Sequence, residues 1–191
     1  MSLALHAYRQ ITGLLEGFAP RLLAARARAG REDPARVGER LGAAGRPRPP
    51  GPLVWLHGVS VGETLSLLPL VASLQADRPD LTLLVTSGTA TSANLLAERL
   101  PAGVIHQFIP VDGPRAVAAF LDHWHPALGV LVESELWPNL IHAAQHEPHP
   151  LQLGHVGQGI PADRDQVRRE FRGQPTRLAL DAEVFRRHHR G

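Results

Sequence analysis

Four short apolar runs at near-regular spacing constrain this chain more than any other feature. They occupy residues 53–57, 81–86, 104–109 and 127–132, and they begin 23 to 28 residues apart. None alternates polar with apolar residues, so each suits a strand buried on both faces of a parallel sheet. Helical patterns fill the gaps at about residues 65–76, 90–99, 114–124 and 136–145. Strand–helix alternation at this spacing implies right-handed crossovers and a doubly wound, mainly parallel, Rossmann-like α/β sheet. Pro69 falls inside the first helical pattern, where it either kinks the helix or marks a start near its first turn.

The chain has 191 residues, enough for one compact domain or one domain with an appendage. It contains no Cys, which removes disulfide frameworks, thiolate zinc sites and cysteine nucleophiles. No run of about 18 apolar residues occurs, so an ordinary membrane-spanning helix is not expected. The net charge of +2 hides an asymmetry: +5 over residues 1–50, −6 over 51–150 and +3 over 151–191. A nucleic-acid binder usually spreads basic residues over its folded body. An acidic middle between basic ends speaks against that class.

Residues 3–23 read as an amphipathic helix, with Leu3, Ala7, Ile11, Leu14, Leu15, Phe18 and Leu22 recurring at helical steps. Arg9, Gln10 and Glu16 interrupt the apolar run, which unsuits it to crossing a bilayer or serving as a signal peptide. Arg21, Arg26, Arg28 and Arg31 follow. The pattern fits an anionic membrane surface, and it fits equally a helix packed on the protein's own core. Residues 42–52 are a Pro/Gly linker.

Ligands of open α/β sheets bind outside the carboxyl ends of the strands. The four loops at that edge hold Gly58 to Glu63, Ser87 to Thr91, Pro110 to Gly113 and Glu133 to Asn139. The first loop lacks the glycine fingerprint of a dinucleotide site and the Gly-Lys-Ser/Thr of a P-loop, which speaks against an unrelated nucleotide-binding protein. Glu63 reads either as an acid at a helix N-terminus or as a general base at the mouth of the sheet. Glu133 and Glu135 leave the fourth strand beside Trp137 and Pro138, either as helix-capping acids or as ligand contacts. His142 and His146 stand four apart, yet no carboxylate motif accompanies them, so no metal or cofactor is expected.

The residues 54–64, Val-Trp-Leu-His-Gly-Val-Ser-Val-Gly-Glu-Thr, resemble the signature of the 3-deoxy-D-manno-octulosonic acid (Kdo) transferases. Residues 84–92 and Pro110-Val111-Asp112 resemble that family's second and third loops, and Glu133-Ser134-Glu135-Leu136-Trp137-Pro138-Asn139 is similar to its Glu-Thr-Glu-Leu-Trp-Pro-Asn block. The resemblance covers about residues 3–145. It implies the N-terminal half of a two-domain (GT-B) glycosyltransferase that moves Kdo from CMP-Kdo to a lipid A precursor. That transfer inverts the anomeric centre, uses no catalytic metal and takes place on the cytoplasmic face of the inner membrane. Glu63 would be the catalytic base. Ser60, Gly62, Glu133, Glu135, Trp137 and Asn139 would form the acceptor side. The resemblance also favours a monotopic helix lying on the membrane.

The match ends at about Ala144. The family continues with a Gly-Ile-Pro strand, an Asn-Ala-Arg segment and a nucleotide-sugar domain. Residues 145–191 resemble none of these, and Gly159-Ile160-Pro161 comes too late. The expected division is a membrane-surface segment at 1–41, a linker at 42–52, an acceptor domain at 53–145 and a divergent tail at 146–191. A shifted reading frame or a truncated gene accounts for such a tail, as would divergent helices near 164–172 and 181–189. A chain without the CMP-sugar half is expected to turn over little by itself. The alternative function is a non-catalytic membrane- and lipid A-binding module derived from the same family.

Overall fold

The computed structural model describes residues 3–132, 137–146 and 151–156. Each of the four apolar runs coincides with a strand to within one residue at either end: β1 (Leu53–Gly58), β2 (Thr82–Ser87), β3 (Ile105–Phe108) and β4 (Leu128–Val132). A fifth, β5 (Gln152–Val156), pairs with β4 along its whole length. The order is β3-β2-β1-β4-β5 and every pairing is parallel. The sheet therefore extends beyond residue 145, into the segment read from sequence as having no buried run. Among the described residues Gln-Leu-Gly-His-Val is an edge strand with one neighbour, so backbone bonding to β4 carries it without a continuous apolar signal.

Alternation along β1 divides the core. Val54 and Leu56 join Leu67 and Val71 of α4 (Val61–Asp77) and Leu96 of α5 (Ala90–Arg99) on one face. Leu53 and Trp55 join Val117, Phe120 and Trp124 of α6 (Pro114–Trp124) and Leu140 and Ala144 of α7 (Pro138–His146) on the other. The fold is a doubly wound α/β sheet. Pro69 lies in the interior of α4. Capping by Ser60 sets the start of that helix, so Pro69 marks no beginning and α4 forgoes one backbone hydrogen bond there.

The N-terminal segment forms α1 (Leu3–Leu15), a 3-10 turn (Glu16–Phe18) and α2 (Ala19–Arg28). Leu23 of α2 is buried, but most of the apolar stripe does not pack on the core. Leu3, Ile11, Leu14, Leu15, Phe18 and Leu22 are exposed by 55% to 86%. The polar residues face the body instead. Tyr8 donates to Asp112 Oδ2 (3.0 Å), Arg9 meets His142 Nδ1 (3.1 Å), and Thr12 Oγ1 accepts from Asn139 Nδ2 (2.9 Å). Glu16 accepts from the backbone N–H groups of Arg115 and Ala116 (3.1 and 2.6 Å), so it caps α6 from a distant part of the chain. Gly113 makes room for this, because a Cβ there would lie 2.5 Å from the Glu16 carboxyl carbon.

Part of the Arg cluster is also spent internally. Buried Glu32 pairs with Arg26 (2.9 Å) and Arg40 (3.5 Å). Glu39, within α3 (Val37–Arg40), pairs with Arg36 and accepts from Phe108 N–H (2.7 Å). Arg21, Arg28 and Arg31 remain exposed.

A polar row crosses the sheet beneath α6 and α7. His57, Thr86 and Gln107 are register neighbours on β1, β2 and β3. Trp55 Nε1 donates to Thr86 Oγ1 and Trp124 Nε1 to Gln107 Oε1, both at 2.8 Å. His57 Nδ1 lies 2.8 Å from Thr86 Oγ1. Burial pushes His57 down to about 4. Burial, with Arg36 adding to it, pushes His106 down to about 3. Both rings are neutral in the fold, whereas in the unfolded chain they take up protons near pH 6.5. Their stabilising effect is complete above that value and is lost as the pH falls towards the folded pKa. The unfolding midpoint is therefore expected to fall between about pH 6.5 and about pH 4. His57→Asn keeps an oxygen opposite Thr86 and removes the titration, so it should make that fall shallower in thermal melts across pH.

Candidate active site

β1 and β4 are neighbours although they are not consecutive in the chain. The chain winds from β1 through β2 to β3 on one side, then returns to β4 and β5 on the other. The carboxyl ends of β1 and β4 thus flank the topological switch point, where open α/β sheets bind their ligands. The first loop opens there, and Trp137 stands against His57 at the end of β1.

The first loop turns directly into α4. Ser60 is the N-cap, and its hydroxyl accepts from Glu63 N–H (3.4 Å). Glu63 closes a reciprocal capping arrangement. Its Oε2 accepts from Val59 N–H (2.6 Å) and its Oε1 from the Ser60 hydroxyl. Gly58 permits the close approach, since a Cβ there would meet Glu63 Cβ at 3.0 Å. Ser60 and Gly62 are exposed and Glu63 is half-buried. Ser60, Gly62 and Glu63 are therefore assembled at one accessible helix start, with the carboxylate held at two points.

Of the fourth loop, Glu133 and Glu135 lie outside the described residues. Trp137 is half-buried, and its ring stands edge-on to His57 (centroids 6.2 Å apart, planes at 82°). Asn139 is fully buried, at 0% exposure. Its amide donates to Thr12 Oγ1 and to the Asp112 carbonyl, so the structure gives it the work of holding α7 against α1 and the third loop. Asp112 caps α7 in the same long-range manner, accepting from Asn139 N–H (3.1 Å) and Leu140 N–H (3.0 Å). Burial pushes the Asp112 carboxyl up, and the hydrogen bonds from Asn139, Tyr8 and Leu140 work against that. Burial, then the Asp112 charge, pushes the Tyr8 phenol up to about 12.

Three buried polar atoms in this region have no hydrogen-bond partner among the described residues: His57 Nε2, Trp137 Nε1 and Asn139 Oδ1. Leaving such a group unpaired costs about 1–3 kcal/mol. His57 was legible only as the end of an apolar run. The signal that marks it is an ionisable residue within a strand buried along its whole length.

The other histidine contacts do not build a site. His106 Nε2 lies 2.9 Å from Ser87 Oγ and Nδ1 lies 3.1 Å from Arg36 Nη2. Arg36 is an obligate donor, so Nδ1 is the acceptor and Nε2 carries the proton towards Ser87. That arrangement cannot draw a proton from the serine. His142 and His146 stack at 4.3 Å, but His142 Nδ1 faces Arg9 and His146 Nδ1 faces the His142 carbonyl. Among the described residues no group of three His, Cys, Asp or Glu is placed to hold a metal ion.

The reciprocal cap makes a stability prediction. Ser60→Ala removes both the cap acceptor and a donor to Glu63, and should cost about 1 kcal/mol in urea unfolding. An unchanged midpoint would mean that the cap does not form in solution.

The model of the N-terminal domain of the 3-deoxy-D-manno-octulosonic-acid transferases matches residues 35–155. The chain is 39% identical over 156 residues to a probable mitochondrial 3-deoxy-D-manno-octulosonic acid transferase of Arabidopsis thaliana, covering 80% of this chain and 35% of that protein. It is 44% identical over 86 residues to the transferase of Rickettsia felis, covering 45% and 18%. It is 37% identical over 108 residues to that of Haemophilus influenzae, covering 56% and 25%. The chain thus spans about a third or less of the length of these relatives. With four loops, their order and the family model in agreement over residues 35–155, the chain belongs to the Kdo transferase family.

Proposed function

We propose that this chain provides the acceptor side of an inverting, GT-B-type Kdo transferase, which moves Kdo from CMP-Kdo to a lipid A precursor. The observation that carries this reading is the position of Glu63: an accessible carboxylate, fixed at two points, beside the sheet's switch point. The Ser60 hydroxyl on Oε1 belongs to an exposed residue. A sugar hydroxyl of the acceptor takes its place as donor. Glu63 then accepts that proton as the sugar oxygen attacks the anomeric carbon of Kdo, and CMP leaves with the electron pair of the broken bond. The Val59 N–H holds the carboxylate in position throughout.

Engagement of both oxygens in a helix cap favours a second reading, the non-catalytic binding module. One substitution separates the two. Gln at the third helical position still accepts in a capping box, so Glu63→Gln preserves the fold while removing the base. Residues 35–155 grafted into the matching segment of the Haemophilus influenzae relative should support Kdo transfer. Glu63→Gln in that graft should reduce turnover about 10²–10⁴-fold. Equal turnover by the two grafts would leave Glu63 as a cap alone.

The reading also places α1 and α2 on the cytoplasmic face of the inner membrane. Leu3, Ile11, Leu14, Leu15, Phe18 and Leu22 are exposed, and exposed Arg21, Arg28 and Arg31 accompany them. Each Arg near an anionic surface contributes about 1 kcal/mol. The chain should float with anionic vesicles and much less with neutral ones. Leu14→Glu together with Phe18→Glu should abolish flotation without lowering the unfolding midpoint, because neither side chain packs on the body. Flotation that survives the double substitution would place the contact elsewhere.

A further inference from the structure

Of the three tryptophans in the chain, two have acceptors for their indole N–H groups within the polar row. Trp137 is the exception. Its Nε1 is shielded from solvent and unpaired among the described residues, although the residue as a whole is half-buried. The ring packs against the core cluster with its one polar atom shielded, whereas the N–H of a buried tryptophan usually finds a partner. His57 Nε2, on the ring packed edge-on against it, is shielded and unpaired as well. Two unpaired nitrogens on adjacent rings, at the switch point and one residue from the loop that carries Glu63, amount to an unfilled hydrogen-bonding site.

The chemistry of its occupant follows from the two tautomers open to His57. When the Thr86 hydroxyl donates to Nδ1, Nε2 carries the proton, and the pair presents two donors to one oxygen. When Nδ1 donates to Thr86, Nε2 is an acceptor beside the Trp137 donor. A hydroxyl group serves both cases, because its oxygen accepts and its hydrogen donates. A carboxylate or phosphate serves only the first. Trp137 lies outside any helix or strand, so its ring turns to admit a ligand without breaking a backbone ladder.

We propose that His57 and Trp137 form a subsite for one hydroxyl of the sugar acceptor, and that they determine which acceptor is bound rather than carrying out the transfer. The inference rests on the acceptor-side reading given above.

The test is calorimetric titration of the whole chain with the lipid A precursor in detergent micelles. Trp137→Phe keeps the ring contact and removes only the N–H. It should weaken binding about tenfold with an unchanged or higher unfolding midpoint. His57→Asn, which retains the Thr86 contact but not Nε2, should weaken binding similarly. His57→Gln, which returns an amide near the place of Nε2, should recover most of the loss. One member of a monodeoxy precursor series should lose the same factor against the natural chain and none against Trp137→Phe. If Trp137→Phe and His57→Asn bind like the natural chain, the pair holds a buried water and the inference falls, while the acceptor-side reading stands. If Trp137→Phe lowers the midpoint without changing affinity, the role is structural and the inference falls. If the natural chain does not bind the precursor, the acceptor-side reading falls and takes this inference with it.

Discussion

β1 has a hydrogen-bonded strand on each edge and a helical layer on each face, and most of the structure depends on that enclosure. All six of its residues are buried. A strand so enclosed tolerates polar side chains only where neighbours satisfy them. Thr86 does this for Trp55 and for one nitrogen of His57. The same enclosure fixes the direction of β1. Its carboxyl end must emerge between β2 and β4, so Gly58 to Glu63 opens at the switch point and not at a sheet margin. The chemistry is thus positioned by sheet order, and sheet order by which apolar runs could pair on both sides.

A second constraint acts through carboxylates that leave their own segment to cap someone else's helix. α6 has no side-chain cap of its own. Glu16 supplies one across about a hundred residues of sequence, and Asp112 does the same for α7. Four backbone N–H groups are satisfied this way, each otherwise left without an intrahelical partner. The consequence for α1 is an inversion. Its polar side must face the body to deliver Tyr8, Thr12 and Glu16, so its apolar side is forced outward. An exposed apolar stripe usually signals a missing partner. Here it is the geometric price of the caps.

The strands β1 to β4 were legible because burial on both faces erases polar alternation and leaves a run that periodicity alone detects. β5 was not, since an edge strand of Gln, Leu, Gly, His and Val draws its stability from backbone pairing. The direction of α1 was illegible for a different reason: an apolar stripe has the same period whether it faces inward or outward. Only the long-range partners of Glu16 and Tyr8 decide between them. Glu63 was legible as an acid at a helix start, but its reciprocal cap with Ser60 emerged only from the structure. Asn139 read as a contact residue of the fourth loop, and its burial depends on α1 folding back over α7, which no local pattern encodes. His57 looked like a strand terminus, and its unpaired nitrogen appears only once Trp137 is brought beside it.

Capping and base catalysis need not compete for Glu63. Each carboxylate oxygen has two lone pairs, and the cap uses one on each. The Val59 N–H on Oε2 comes from the backbone of a loop tied to β1, so it fixes the direction of the carboxylate. The Ser60 hydroxyl on Oε1 comes from an exposed side chain with a free rotor. Exchanging that hydroxyl for one on a sugar leaves the number of hydrogen bonds at the carboxylate unchanged. The cap therefore lowers the reorganisation needed when an acceptor arrives, because the carboxylate is already held in one orientation before the proton is presented. A freely rotating glutamate on the same helix would have to be ordered at that moment, at a cost in side-chain entropy.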